Sequence, residues 1–205
     1  MRALILVDLQ NDFCPGGALA VERGHETIEV AKKLIPQFDI VVATQDWHPP
    51  HHKSFAANNP GTKVGDVIEL EGLPQVMWPA HCVQGTRGAE LHDALPRDAI
   101  TEVFRKGTDP AIDSYSGFFD NGHRKATGLG EWLVARGVDH VVVLGLATDY
   151  CVKFTALDAR NLGLDVTLVE DGCRAVNLSP QDEAKAIAEM RAAGVKVTTS
   201  DALPQ

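Results

Sequence analysis

No stretch of the 205-residue chain approaches the run of about 18 apolar residues that a membrane-spanning helix needs. The opening MRALILV is cut at Asp8, too early for the apolar centre of a secretory leader, so a cytoplasmic protein is expected. Cysteine is sparse. Cys14, Cys82, Cys151 and Cys173 lie far apart with no C-x-x-C pair, which excludes a disulfide framework and a zinc ribbon and leaves free thiols. Basic charge is also short: 19 basic against 28 acidic residues give a net −9. That balance argues against nucleic acid or an anionic membrane as partner and leaves small molecules; a homo-oligomer is compatible with it. The G-x-G-x-x-G fingerprint is missing, since the first strand runs into DLQNDF, so no nicotinamide dinucleotide cofactor is implied. Two phosphatase signatures fail on spacing. The sixth residue after Cys151 is Leu157 rather than arginine, and Gln10 stands where a D-x-D start at Asp8 needs a second acid.

What is present is an alternation of short apolar runs with amphipathic segments. Ala3–Val7 and Val141–Leu144 are continuous apolar runs, as expected of strands buried on both faces of a parallel sheet. Ile40–Ala43, Ile100–Phe104, Asp165–Val169 and Lys196–Thr199 read as further strands. Helical spacing covers Thr27–Phe38 and Gly130–Arg136, and SPQD opens another helix with Ser179 as cap and Pro180 in the first turn. Strands alternating with helices predict an α/β, doubly wound parallel sheet with helices on both faces, in a single domain spanning 1–205. Between Asp46 and Pro79 the composition shifts to proline, asparagine, glycine and histidine, which marks a long functional loop region at about 46–82.

Three predicted strands run into reactive groups: Asp8 after the first, Lys106 after ITEVF, and Cys151 just past VVVLG. A parallel sheet brings such residues to one edge, beyond the carboxyl ends of its strands. There a carboxylate can take a thiol proton, a lysine can stabilise the anions, and a thiolate can attack an acyl carbon. Thr148 or Asp149 is placed to cap the following helix and Gly163 to stop it. Cys151 then falls in the first turn, where the helix dipole should lower the thiol pKa from about 8.5. A second constellation is D46-W-H48-P-P-H51-H52 followed by His81, which holds four of the eight histidines. An acid with several imidazoles suits one borderline divalent ion, Zn²⁺, Fe²⁺ or Mn²⁺. Composition does not choose between His51 and His52.

With LVDLQNDFCPGGAL, QDWHPPHHKSF, WPAHCVQGT, FRKG and GLATDYCVKFTALDA in one order, the chain resembles the nicotinamidase branch of the isochorismatase-like cysteine hydrolases over nearly its whole length. The resemblance implies a six-stranded parallel sheet and a catalytic triad of Asp8, Lys106 and Cys151. Its metal ligands would be Asp46, His48, His52 and His81, with His51 a bystander. It also implies a cis peptide before Ala147, an oxyanion hole from the N–H groups of Ala147 and Cys151, and substrate walls at Phe13, Leu19, Trp78 and Tyr150. The implied activity is hydrolysis of nicotinamide, and of pyrazinamide, to the acid and ammonia through a cysteine thioester, with the ion on the ring nitrogen. Two alternatives are a metal-free relative acting on another amide or a vinyl ether, and a non-enzymatic metal or redox-sensing protein. Ammonia release separates the last from an enzyme.

Overall fold

The computed structural model describes residues 1–204. Six strands form one parallel sheet: β1 Arg2–Val7, β2 Val41–Asp46, β5 Glu102–Lys106, β6 His140–Leu146, β7 Asp165–Arg174 and β8 Lys196–Thr198, in the order β5-β2-β1-β6-β7-β8. The apolar run of β1 puts it in the middle. Ala3 through Val7 are fully buried, with Ile5 paired to Val42 on one side and to Val143 on the other. The helices are α1 Glu26–Leu34, α2 Leu129–Val134, α3 Lys153–Asn161 and α4 Asp182–Ala192. With right-handed crossovers this strand order sets α1 on one face and α2, α3 and α4 on the other. α1 turns Ile28, Ala31 and Leu34 inward. Among the described residues no helix is long and apolar enough to cross a membrane.

The elements stand where the patterning put them, with ends that shift for identifiable reasons. β2 and β5 extend until Asp46 pairs with Lys106, so both residues end strands rather than follow them. β6 runs one residue past Gly145. There the backbone has φ +135, and a Cβ would lie 2.1 Å from the Val7 carbonyl oxygen, so only glycine lets β1 approach this closely. α1 gives way at Leu34 to a 3₁₀ turn, Ile35–Gln37, because Pro36 has no N–H to continue the helix. α4 starts at Asp182, later than the Ser179 cap predicted. The reciprocal half of the expected capping box does form, the Asp182 carboxylate accepting the Ser179 N–H at 2.8 Å. The weakly alternating VIELEG stretch forms an antiparallel hairpin of β3 Val67–Leu70 and β4 Leu73–Val76.

Because β5, β2, β1 and β6 are neighbours, their carboxyl ends bring Lys106, Asp46, Asp8 and the turn after Leu146 together from positions far apart in the chain.

Candidate active site

Lys106 is the centre of this edge. It is 2% exposed, and its Nζ lies 2.6 Å from Asp46 Oδ1, 2.8 Å from Asp8 Oδ2, 2.8 Å from the Ser114 carbonyl and 3.3 Å from Cys151 Sγ. Asp8 Oδ2 meets that ammonium as a buried ion pair and has no other polar partner. Asp8 Oδ1 accepts the Thr44 hydroxyl at 2.6 Å. Burial pushes the Asp8 carboxyl up, with Lys106 opposing. Burial would raise Asp46 too, but Lys106 and His48 outweigh it and hold that carboxyl well below its usual range. One ammonium thus faces two unlike carboxyls, Asp46 kept ionised and Asp8 able to hold a proton. Burial costs Lys106 its charge less than the two carboxylates return, so its pKa is raised.

The turn that carries Cys151 is π-helical, Thr148–Val152, and leads straight into α3. The Ala147 carbonyl accepts the N–H groups of both Tyr150 and Val152 at 3.1 Å. The Leu146–Ala147 peptide is cis. Neither predicted cap acts as one. Thr148 donates to Glu183 at 3.1 Å, and Asp149 accepts the Val176 and Asn177 N–H groups at 2.9 Å each, tying the loop after β7 to the cysteine turn. Gly163 does follow the end of α3, at φ +86. The expected lowering of the Cys151 pKa is overturned. Burial pushes the thiol well up, Lys106 pulls it down, and the carboxylates of Asp8 and Asp46 push with burial. A helix-end field cannot match desolvation beside two anions, so the thiol keeps its proton until a base takes it.

The histidines gather beside Asp46. Nε2 of His48 and of His81 lie 3.5 and 3.8 Å from Asp46 Oδ2, and the His48 and His52 rings are 4.4 Å apart. His48 and His81 each donate Nδ1–H to a carbonyl at 2.7 Å, that of Gly107 and of Pro79, which leaves Nε2 as a lone pair facing Asp46. Gly107 has φ +65, and a Cβ there would fall 2.3 Å from His48 Cε1, so glycine is required behind this imidazole. Nδ1 of His52 lies 2.7 Å from the Ser54 hydroxyl. Nε2 of His48 and of His52 are buried without a partner. Such orphaned imidazole nitrogens beside an ionised carboxylate fit a divalent ion. His52 groups with His48 and Asp113, and Asp46 with His48 and His81, so His48 joins two overlapping sets. His51 is exposed while His52 is fully buried.

A cavity opens between these groups, lined by Phe13, Leu19, Trp78 and Tyr150 together with Ala147, Cys151, Asp46 and His81. Trp78 and Tyr150 meet edge to face at 4.9 Å. Tyr115, Asp113 and Val176 also line it and were not picked out from the sequence. The Tyr115 hydroxyl accepts the Trp78 indole N–H at 3.2 Å, and so fixes that wall. Gln10 went unnoticed as well. Fully buried, it accepts the Asp46 N–H and donates to the Asp46 carbonyl, both at 2.8 Å, clamping the strand end.

The chain is 54% identical over 202 residues to a nicotinamidase of Escherichia coli, covering 97% of this chain and 94% of that one. A solved nicotinamidase and pyrazinamidase of Acinetobacter baumanii superposes with a TM-score of 0.95 at 44% identity, covering 98% of this chain and 96% of the other. A pyrazinamidase of Pyrococcus horikoshii solved in complex with zinc gives 0.77 at 39% identity, with 97% and 98% covered. The Isochorismatase domain family matches residues 2–202, and with that match and these relatives the chain belongs to the isochorismatase family.

Proposed function

We propose that this protein is a nicotinamidase, hydrolysing nicotinamide to nicotinate and ammonia in NAD salvage, with pyrazinamide as a second substrate. The observation that carries the reading is the Lys106 junction, with Asp8 and Cys151 on one buried ammonium at the end of an aromatic-walled cavity. The high identity to nicotinamidases supports the substrate class.

In this reading Asp8 takes the thiol proton, Cys151 attacks the carboxamide carbon, and the N–H groups of Ala147 and Cys151 hold the oxyanion. The proton passes from Asp8 to the leaving nitrogen, ammonia departs, and a thioester remains. Asp8 then deprotonates water, which adds to the thioester carbon, and the proton returns to sulfur as the acid leaves. Lys106 balances whichever of Asp8 and Cys151 is anionic. Phe13, Leu19, Trp78 and Tyr150 hold the ring plane.

Asp46, His48, His52 and His81 would hold one divalent ion, Zn²⁺, Fe²⁺ or Mn²⁺, with Zn²⁺ favoured by the zinc complex of the Pyrococcus horikoshii pyrazinamidase. When bound, the ion supplies a Lewis-acid contact for the ring nitrogen. Four buried free cysteines suit a reducing compartment and support a cytoplasmic reading. Ammonia release from nicotinamide by the purified protein, with Cys151→Ala as control, tests the assignment. Absence of release in the metal-loaded protein, or equal release by the variant, would refute it.

A further inference from the structure

We infer that Thr44 is a positioning residue for the reaction, fixing which oxygen of Asp8 serves the thiol. The inference rests on the reading of Asp8 as the proton carrier. Thr44 lies on β2, fully buried, and touches Asp8 twice: its Oγ1 accepts the Asp8 backbone N–H at 3.1 Å and lies 2.6 Å from Asp8 Oδ1. An amide N–H can only donate, so the single hydroxyl proton is directed to Oδ1. That oxygen is thereby committed as an acceptor. Oδ2 is left to the Lys106 ammonium, 2.8 Å away, which also lies 3.3 Å from Cys151 Sγ.

The hydroxyl is held in this direction by the rest of its own side chain. The Thr44 methyl packs against Gly117, where an added Cβ would sit 2.7 Å from Thr44 Cγ2. Rotation about χ1 would drive the methyl or the hydroxyl out of that seat, and a β-branched side chain has few rotamers to choose from. Asp8 itself has φ +48, a backbone that a non-glycine residue holds only where its surroundings fix it. The same hydroxyl therefore secures the Asp8 backbone and orients its carboxyl.

During acylation the Sγ–H bond breaks as an O–H bond forms at Oδ2, and that proton then leaves with the amine as the C–N bond breaks. During deacylation a proton of water goes to Oδ2, hydroxide adds to the carbonyl carbon, the C–S bond breaks, and the proton returns to sulfur. Every transfer uses one oxygen. A carboxyl free to turn would present the wrong oxygen, or share its proton between the two, in part of the molecules.

Thr44→Val keeps the shape and removes the hydroxyl, while Thr44→Ser keeps the hydroxyl and removes the methyl. With metal-loaded full-length protein and nicotinamide, kcat of Thr44→Val should fall at least about thirtyfold with KM within about threefold of wild type, and Thr44→Ser should stay within about threefold in kcat. A merely structural role would move kcat and KM together, whereas some loss of melting temperature is expected either way because the Asp8 N–H loses its acceptor. The assignment is overturned if Thr44→Val keeps more than half the wild-type kcat, or if Thr44→Ser loses as much as Thr44→Val. Should Thr44→Val not fold, Thr44→Ser decides alone, and a loss beyond tenfold overturns it. Asp8→Asn separates the two readings. An active Asp8→Asn refutes the proton carrier itself, whereas an inactive Asp8→Asn beside an unaffected Thr44→Val refutes only the role of Thr44.

Discussion

Replacing Lys106 by methionine removes a charge and little volume, and so isolates what that ammonium contributes. Its Nζ lies within 2.8 Å of carboxylate oxygens of both Asp8 and Asp46, at a side chain with no exposed surface. Breaking a buried ion pair by removing one partner costs about 3–5 kcal/mol, because the remaining charge is left desolvated. For a chain of this length each kcal/mol is worth about 2–4 °C, so the melting temperature should drop by about 6–20 °C. At Asp46 the sign of the pH dependence also reverses, while Asp8, already raised in the wild type, is pushed further the same way. In the wild type the Asp46 carboxyl is held below its usual range, so its contribution is present above the unfolded carboxyl pKa and lost as pH falls through the folded value. Without Lys106, burial acts unopposed by that charge and pushes the carboxyls up. Their folded forms take up protons, and stability is lost as pH rises through the raised folded value. The gap in melting temperature between chelated wild type and chelated Lys106→Met should therefore be widest near about pH 8 and narrow toward about pH 5. Thermal melts across that range measure it, with ammonia release alongside, where the variant should fall by more than about a thousandfold. A gap below about 3 °C at the upper pH, or one that does not change with pH, would refute the account of Lys106 as the buried counter-charge.

His52→Ala should lose bound metal and activity while His51→Ala keeps both, since His52 is buried and His51 is exposed; metal content after gel filtration is the measurement, and the opposite ranking would show the ligand set to be wrong. Cys151→Ala should abolish turnover yet still bind nicotinamide. Iodoacetamide should label Cys151 ahead of Cys14, Cys82 and Cys173, with nicotinamide protecting it, because Cys151 alone of the four lines the cavity. Benzamide, which lacks the ring nitrogen, should lose at least about a hundredfold in kcat/KM relative to nicotinamide; comparable values would mean that the nitrogen is not read.

The central strands β1, β2 and β6 were legible because their apolar runs are buried on both faces, and Asp8 because it sits where such a run stops. Asp8 and Lys106 needed only the rule that parallel strands present their carboxyl ends together, whereas Asp46 was read from the histidines that follow it. Asp113 and Tyr115 were not legible. They lie in the irregular segment between β5 and α2, where no periodicity announces which side chain turns inward. Gln10 and Thr44 escaped for another reason: both are satisfied by partners about 36 positions away in sequence, which no local pattern encodes. The thiol of Cys151 was misjudged because local geometry suggests the helix-end field, whereas the desolvation that outweighs it depends on everything packed around the turn. Asp149, which resembles a cap in sequence, instead anchors Val176 and Asn177 from across the fold.

Asp46 turns one oxygen to Lys106 and the other toward His48 and His81. A single carboxylate is therefore common ground for the proposed nucleophile and the proposed ion, and in that reading neither can be tuned alone. By thermodynamic reciprocity, any factor by which an ion at Oδ2 changes the binding of an acyl-like adduct at Cys151 must reappear as the same factor in the ion's own affinity once the adduct is in place. In the proposed reading, exchange of one metal for another would also change the field at the sulfur, and a substitution that retunes the sulfur would alter which metal is kept.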